Sequence, residues 1–209
     1  MKVGDLPRGA ARTLPNDLAI IHEKTRVSFS EFNQNMRNLS QYFLKLVQTG
    51  DRVAVLAYNC PEILYSFYAA PFIGAVVTPF NYAMSSKEIA YCVNDCKPRI
   101  LIYQPAFDST IQQLKQSGAP IEHYISTADF PQMLKEPPSI ERKPPHFSQE
   151  STCFIIWTGG TTGFPKGVMI SHHNMIAMIA MAGEMLVKGT DKFKESFLSE
   201  KLASRMLTA

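Results

Sequence analysis

Short apolar runs bounded by turn residues recur along the chain and predict the strands of a sheet. Each run is continuous rather than alternating between apolar and polar residues, which is typical of strands covered on both faces. We therefore expect a sheet buried between layers of other elements. The predicted strands cover residues 18–21, 53–57, 75–78, 100–103, 123–125, 153–157 and 168–170.

Amphipathic stretches of helical length separate several of these runs and predict helices. They cover residues 30–47, 61–72, 85–94 and 107–115. Ser30 is expected to cap the first helix, and Pro61 suits the first turn of the second. Ser85 or Ser86, with Glu88, resembles a capping box at the third. The alternation of strand and helix predicts an α/β fold with a largely parallel sheet flanked by helices.

The composition is that of a globular domain and excludes several other classes of protein. Hydrophobic residues make up 45% of the 209 residues and charged residues 19%, which excludes disordered and fibrous chains. The 21 Lys and Arg against 18 Asp and Glu leave a net charge of +3, too small and too evenly spread for nucleic-acid binding. The cysteines lack C-x-x-C spacing and are expected to be buried structural thiols. They are Cys60, Cys92, Cys96 and Cys153.

Two segments bear on whether the chain meets a membrane. Residues 1–17 lack the continuous apolar stretch of a secretory signal, so we expect a cytoplasmic protein. No charged residue occurs from position 63 through position 86, but Pro71, Gly74 and Pro79 divide this stretch. The stretch is therefore predicted to form a buried helix, a turn and a strand rather than a transmembrane segment.

A proline-rich surface linker is predicted over residues 135–146, and a glycine-rich segment follows the next strand. This segment reads TGGTTGFPKG over residues 158–167. Its glycines free backbone N–H groups to converge on an anion, its threonines add hydroxyl donors, and Lys166 adds positive charge. The spacing matches neither a Walker A loop nor a G-x-G-x-x-G motif, so a different phosphate-binding loop is predicted. A tight hairpin with only a structural role is the alternative.

Residues 157–175, which read WTGGTTGFPKGVMISHHNM, resemble the most diagnostic motif of the ATP-dependent adenylate-forming superfamily. This superfamily includes acyl-CoA synthetases, peptide-synthetase adenylation domains and luciferases. Its motif runs Tyr-Thr-Ser-Gly-Thr-Thr-Gly-x-Pro-Lys-Gly, followed by a strand and Thr-His-x-Asn. Trp157 and Gly159 depart from the commonest form, and the Thr-Gly-Gly-Thr-Thr-Gly version resembles fatty-acyl-CoA ligases. Other segments that are similar to the family in order and spacing cover residues 27–32, 50–62 and 69–102.

The resemblance implies an acyl-CoA-synthetase-like carboxylic acid–CoA ligase that acts in fatty-acid metabolism. Such enzymes form an acyl-adenylate from ATP and a carboxylic acid, and then a thioester with CoA as co-substrate. A fragment of a peptide-synthetase adenylation domain is the lesser alternative. By matched positions, the resemblance implies contacts with the β- and γ-phosphates of ATP from Thr158, Gly159, Gly160, Thr161, Thr162, Gly163 and Lys166.

Family motifs that should follow the loop are missing from this sequence. The resemblance places the Mg²⁺ ligand in a Tyr-Gly-x-Thr-Glu motif and the adenylation lysine in a C-terminal segment, and neither occurs here. We therefore expect residues 1–187 to form a truncated N-terminal AMP-binding domain, not competent for catalysis alone. Residues 188–209 are expected to form a helical tail foreign to the family. The alternative is a non-catalytic truncated or split-gene protein that docks on a partner chain, and a separate chain supplying the missing half would be such a partner.

Two features after the loop have plain structural interpretations. His172 and His173 are adjacent, and adjacent residues at a helix start point in different directions, so no metal site is predicted. Instead, Ser171 or Asn174 is expected to cap the following helix. Methionines at three- and four-residue spacing on that helix predict a packed face. They are Met175, Met178, Met181 and Met185.

Overall fold

The computed structural model describes residues 1–135, 142–159 and 163–188 of the chain. Its strands are β1 (Leu18–His22), β2 (Thr25–Ser28), β3 (Arg52–Leu56), β4 (Val76–Pro79), β5 (Ile100–Tyr103), β6 (His123–Ser126), β7 (Thr152–Thr158) and β8 (Lys166–Ser171). Its α-helices are α1 (Leu6–Thr13), α2 (Phe29–Phe43), α3 (Pro61–Phe72), α4 (Ser86–Cys96), α5 (Asp108–Gln116), α6 (Phe130–Lys135) and α7 (His172–Lys188). Single turns of 3₁₀-helix cover Val3–Asp5, Pro105–Phe107 and Thr127–Asp129.

Six strands form one sheet in the order β6-β5-β3-β4-β7-β8. The first five of these run parallel, and β8 lies at the edge, antiparallel to β7. Parallel neighbours need a connection that crosses over one face of the sheet, and α3, α4 and α5 lie in such connections. The predicted α/β fold with a largely parallel sheet flanked by helices is confirmed.

Successive side chains of the central strand β3 point to opposite faces of the sheet, and the core accordingly has two layers. Val53 and Val55 of β3 belong to the cluster that includes α2 and α3, whereas Ala54 and Leu56 belong to the cluster that includes α4 and α5. All four side chains are at most 2% exposed. Burial on both faces explains why this strand reads as an uninterrupted apolar run.

Local capping decides where two of the predicted helices begin. At α4, the Ser85 hydroxyl accepts the Glu88 N–H at 3.3 Å, and the Glu88 carboxylate accepts the Ser85 N–H at 2.8 Å. This reciprocal pair is the predicted capping box, with Ser85 as the cap residue. α3 begins at Pro61, as predicted, because the first turn needs no N–H from that residue.

The prediction that Ser30 caps α2 is wrong. Ser28 is the cap residue: its hydroxyl accepts the Glu31 N–H at 3.2 Å, and its own N–H donates to the Glu31 carboxylate at 2.8 Å. A capping box requires the acidic residue three positions after the cap, and only Ser28 stands at that distance from Glu31. The helix therefore begins at Phe29, with Ser30 inside its first turn.

The strand predicted at residues 18–21 does not join the six-stranded sheet. It forms β1, which pairs antiparallel with β2 in a separate two-stranded sheet. Glu23 adopts a φ of 50° in the turn between them. The sequence pattern does not predict β2, because Val27 is its only buried residue and no apolar run marks it. The short helices α1 and α6 are also absent from the predicted elements.

The edge strand β8 and the helix that follows it are more exposed than predicted. Val168 and Met169 are 47% and 72% exposed, so the expected cover on both faces is wrong for this strand. Met175 packs against the core, but Met178 and Met181 are exposed, so the predicted packed face is wrong for those two methionines. The physical reason is that α7 contacts the rest of the described chain chiefly through β8 and the N-terminal turn.

The end of the predicted linker is fastened to α2 by hydrogen bonds. The Arg142 N–H donates to Gln41 Oε1 at 2.7 Å, and Gln41 Nε2 donates to the Arg142 carbonyl at 2.8 Å. Positions 136–141, and the predicted tail beyond position 188, lie outside the described residues. Within the described part of the chain, no helix is long and apolar enough to cross a membrane.

Candidate functional site

The glycine-rich segment forms the tip of a β-hairpin. β7 and β8 pair antiparallel as far as Thr158 and Lys166, which face each other as the last pair. Across this pair, the Thr158 hydroxyl donates a hydrogen bond to the Lys166 carbonyl at 3.3 Å. Directly paired residues of an antiparallel hairpin point to the same face. The pairing therefore brings Thr158 and Lys166 together at the base of the loop.

The structure describes part of the predicted phosphate-binding set. The Lys166 ammonium forms no ion pair with any residue that the structure describes, so its charge is available to an anion. The single proton of the Thr158 hydroxyl is engaged by the Lys166 carbonyl, so this hydroxyl would have to turn before donating to phosphate. The described and exposed members are Thr158, Gly159, Gly163 and Lys166. The members outside the described residues are Gly160, Thr161 and Thr162.

Two of the three described hairpin glycines exclude side chains, each for a different reason. Gly163 has a φ of +155°, which L-residues rarely adopt, although a Cβ would meet open space there. At Gly167 the obstacle is packing, because a Cβ would lie 2.8 Å from Ile155 Cγ2 and 3.5 Å from the Trp157 ring. Gly159 has neither restriction. The backbone therefore requires glycine at position 163, and close packing requires it at position 167.

Trp157 fixes the first strand of the hairpin to the sheet. Its indole N–H donates to the Thr78 hydroxyl of β4 at 2.8 Å, and both side chains are buried. Its ring also contacts the ring of Phe80, with centroids 6.3 Å apart. A buried indole N–H needs such a partner, so this bond holds the residue that precedes the loop in one place. Sequence reasoning missed Thr78, because nothing in a short apolar strand indicates which hydroxyl will meet an indole.

A cavity of about 330 Å³ opens at the carboxyl ends of β3 and β4, beside the strand that carries Trp157. The chain leaves β3 toward α3 on one face of the sheet and leaves β4 toward α4 on the other. Open α/β sheets bind ligands in a crevice where connections diverge in this way. Its lining includes Asn59 after β3, and Phe80, Asn81 and Tyr82 after β4. Sequence reasoning missed this crevice, although these polar and aromatic residues directly follow predicted strands.

The two adjacent histidines have different surroundings and do not form a joint site. Ser171 caps α7, because its hydroxyl accepts the Asn174 N–H at 3.1 Å, which confirms the predicted cap. His172 is fully buried, and its Nδ1 accepts the Val3 N–H at 3.2 Å. Burial lowers the pKa of His172 to about 4. His173 is exposed, with its Nδ1 3.8 Å from the Glu150 carboxylate.

Arg99 forms ion pairs at the end of the sheet opposite to the hairpin loop. Its guanidinium lies 3.2 Å from Asp51 and 2.9 Å from Glu122. These three residues directly precede β5, β3 and β6, so they lie where the parallel strands begin. They therefore stabilise the fold, whereas Lys166 lies at the end of the sheet where the parallel strands finish.

The cysteines supply no reactive nucleophile. Cys92, Cys96 and Cys153 are buried, as predicted, whereas the prediction of burial is wrong for Cys60, which is half-buried. Desolvation raises the pKa of Cys60, Cys92 and Cys96 to about 12 and that of Cys153 to about 11. Few thiolates would therefore form near neutral pH.

A family model described as AMP-binding enzyme matches residues 8–201 of the chain. The chain belongs to the AMP-binding enzyme family. The match includes both strands of the hairpin and confirms the family resemblance seen in the sequence. It also continues past residue 187, and the division of the chain at that residue stays a prediction.

Curated relatives of the chain include CoA ligases. Crotonobetaine/carnitine–CoA ligase of Escherichia coli is 30% identical to it over 162 residues. The alignment covers 72% of the chain and 31% of the ligase. The chain thus spans about a third of the length of the curated relatives it matches.

Solved structures of similar fold include acyl-CoA synthetases. The inhibitor-bound N-terminal domain of FACL13 from Mycobacterium tuberculosis superposes with a TM-score of 0.76 and 27% identity, covering 82% of the present chain and 45% of that protein. A fatty acyl CoA synthetase of the same organism superposes with a TM-score of 0.78 and 24% identity, covering 87% and 37%. The second likeness concerns the fold alone.

Proposed function

We propose that this chain is the N-terminal part of an ATP-dependent carboxylic acid–CoA ligase, and that its hairpin loop binds the β- and γ-phosphates of ATP. The observation that carries the proposal is the hairpin itself. A glycine-rich tip is closed by Thr158 and Lys166 and lies at the edge where the parallel strands end. Backbone N–H groups of such a tip, with one unpaired ammonium beside them, suit a polyphosphate.

The proposed residues act on the group that departs during adenylation. A carboxylate oxygen of the acid attacks the α-phosphorus of ATP, the bond from that phosphorus to the bridging oxygen breaks, and pyrophosphate leaves with the electron pair. Negative charge therefore grows on the pyrophosphate, where the N–H groups of Gly159 and Gly163 and the Lys166 ammonium would stabilise it. In the complete enzyme, the CoA thiol would then displace AMP from the acyl-adenylate and form the thioester.

Within the described residues, no group of three or more His, Cys, Asp or Glu side chains is arranged to hold a metal ion. The Mg²⁺ ion that accompanies ATP is usually held by one or two carboxylates together with the phosphates, and the family motif Tyr-Gly-x-Thr-Glu, which carries the ligand, does not occur in this sequence. We therefore propose no Mg²⁺ ligand among these residues. We expect the chain alone not to catalyse ATP–pyrophosphate exchange with fatty, aromatic or amino acids, and exchange above a heat-killed control would overturn that expectation.

Binding of pyrophosphate and ATP by the full chain tests the role of the loop. Equilibrium dialysis should detect saturable binding, and Lys166→Ala should weaken it about 5- to 150-fold, equivalent to about 1–3 kcal/mol. Lys24→Ala is the matched control, because Lys24 is exposed in the β1–β2 turn, far along the chain from the loop. Equal affinity of Lys166→Ala and the wild type would show that the loop does not hold the phosphates.

A second candidate function is docking on a partner chain without catalysis, and exposed apolar side chains of β8 favour it. β8 is an edge strand of the sheet, and its Val168 and Met169 are 47% and 72% exposed. Met169→Glu should then increase the monomeric fraction in light scattering, whereas Leu14→Glu, at an exposed site far from β8 along the chain, should not. Unchanged association of Met169→Glu would argue against docking through β8. Other exposed apolar side chains in this part of the chain are Phe164, Met178, Ile179 and Met181.

A further inference from the structure

One aromatic pair joins the hairpin loop to a helix on the face of the sheet. The ring of Phe164, at the end of the loop, stacks on the ring of Tyr91 in α4, with centroids 4.5 Å apart and planes 16° apart. Both rings are partly open to solvent, with Phe164 59% exposed and Tyr91 38% exposed. A stacked pair at this distance is a favourable aromatic contact, although burial contributes little to it.

The helix that carries Tyr91 is a rigid support. The Ser85–Glu88 capping box fixes the start of α4, and Cys92 and Val93, directly after Tyr91, are buried in the core. Tyr91 lies on the outer side of the same helix. The backbone that carries the Tyr91 ring therefore has a defined place that does not depend on the loop.

The two strands of the hairpin are fastened by different contacts. On the β7 side, the buried bond from Trp157 to Thr78 holds the residue before the loop. On the β8 side, Phe164 is two positions before Lys166, and the intervening Pro165 is buried and restricted in φ. A fixed Phe164 ring thus limits where Lys166 can stand.

We propose that Tyr91 is a positioning residue for the phosphate-binding loop: by stacking on Phe164 it holds Lys166 beside Thr158 before any phosphate arrives. The inference rests on the proposed function of the loop. A residue that is already held in place loses less conformational entropy when it binds a ligand, so a Lys166 fixed before binding favours the bound state. The stack therefore strengthens phosphate binding without touching the phosphate.

Two readouts on the full chain test the proposal. The first is pyrophosphate affinity, and the second is the rate of tryptic cleavage of the Lys166–Gly167 bond relative to cleavage after Lys24. Tyr91→Ala and Phe164→Ala should each weaken pyrophosphate binding about 2- to 10-fold, the range expected for loss of one aromatic pair. Each should also accelerate cleavage after Lys166 several-fold and leave cleavage after Lys24 unchanged.

Controls separate positioning from a general structural effect. Tyr91→Phe keeps the ring and should behave as wild type, as should Asn94→Ala, which alters another exposed residue of α4. The double variant Tyr91→Ala/Phe164→Ala should bind no more weakly than either single variant, because both remove the same contact.

Each outcome decides the proposal. If wild-type protein binds pyrophosphate and both alanine variants bind it equally well, or if their losses add, the positioning role of Tyr91 is wrong while the proposed function stands. If wild-type protein binds no pyrophosphate, the proposed function fails and the positioning role fails with it. The pattern of losses described above, with rescue by Tyr91→Phe, supports both.

Discussion

Acid should destabilise this chain through His172. The ring is fully buried, its Nδ1 accepts the Val3 N–H, and its Nε2 has no hydrogen-bond partner within the described part of the protein. Burial first, and then the positive charge of Lys2, lowers the pKa of His172 from 6.5 to about 4, while Asp5 acts in the opposite direction. The folded protein therefore keeps this ring neutral at a pH where the unfolded chain protonates it.

The size of the effect follows from the two pKa values. Between pH 6.5 and about 4 the unfolded state binds more protons than the folded state, so stability present above this window is lost as the pH falls through it. The difference between the two pKa values of His172 lowers the free energy of unfolding by about 3 kcal/mol over the whole window and by about 2 kcal/mol between pH 7 and pH 5. Protonation of Nδ1 would also remove the acceptor of the Val3 N–H.

Urea unfolding at pH 7 and pH 5, followed by the fluorescence of the single tryptophan, measures this loss. His172→Asn keeps a short polar acceptor near Val3 and removes the titrating ring. From pH 7 to pH 5, its free energy of unfolding should therefore fall by about 2 kcal/mol less than that of the wild type. The free energy of unfolding of His173→Asn, changed at the exposed neighbouring position, should fall by as much as that of the wild type. An equal fall in wild type and His172→Asn would refute the role given to His172.

Four further outcomes are expected. Gly163→Val should weaken pyrophosphate binding more than Gly159→Ser in the same dialysis assay, because only Gly163 has a backbone conformation that disfavours a side chain. Gly167→Ala should cost about 1–3 kcal/mol of stability in urea unfolding, since its Cβ would collide with Ile155. Trp157→Phe should cost about 1 kcal/mol, measured by circular dichroism, through loss of the buried hydrogen bond to Thr78. The three buried thiols, with pKa values raised to about 11–12, should react with a disulfide reagent at pH 8 only after urea is added, and rapid reaction of the folded chain would contradict their burial.

Elements whose signal is local could be predicted from the sequence. The central strand and α3 are examples, because continuous apolar residues mark the strand and Pro61 marks the start of the helix. The capping box at Ser85 is another, since it needs only two residues three positions apart. The glycine-rich loop between β7 and β8 is predicted as a segment for the same reason, because its glycines, threonines and lysine are contiguous; its binding of phosphate stays a prediction.

Contacts between distant residues could not be predicted. The Trp157–Thr78 bond joins residues 79 positions apart, and the His172–Val3 bond joins residues 169 positions apart. The apolar run of β1 is compatible with either a central strand or a hairpin, and only its antiparallel partner decides between them. The sequence of β8 also does not reveal that it is an edge strand, because its apolar run resembles that of a covered strand. Its apolar residues are exposed because β8 lies at the edge of the sheet.

The central claim is that the hairpin loop binds the polyphosphate of ATP. The most direct measurement is a titration of the full chain, labelled with ¹⁵N at its 11 glycines, with pyrophosphate against chloride of equal ionic strength. We expect saturable shifts in the amide signals of Gly159 and Gly163, and none at Gly50 or Gly118, which lie outside the hairpin. Loop signals that stay in place, or signals that all move alike in pyrophosphate and chloride, would contradict the claim.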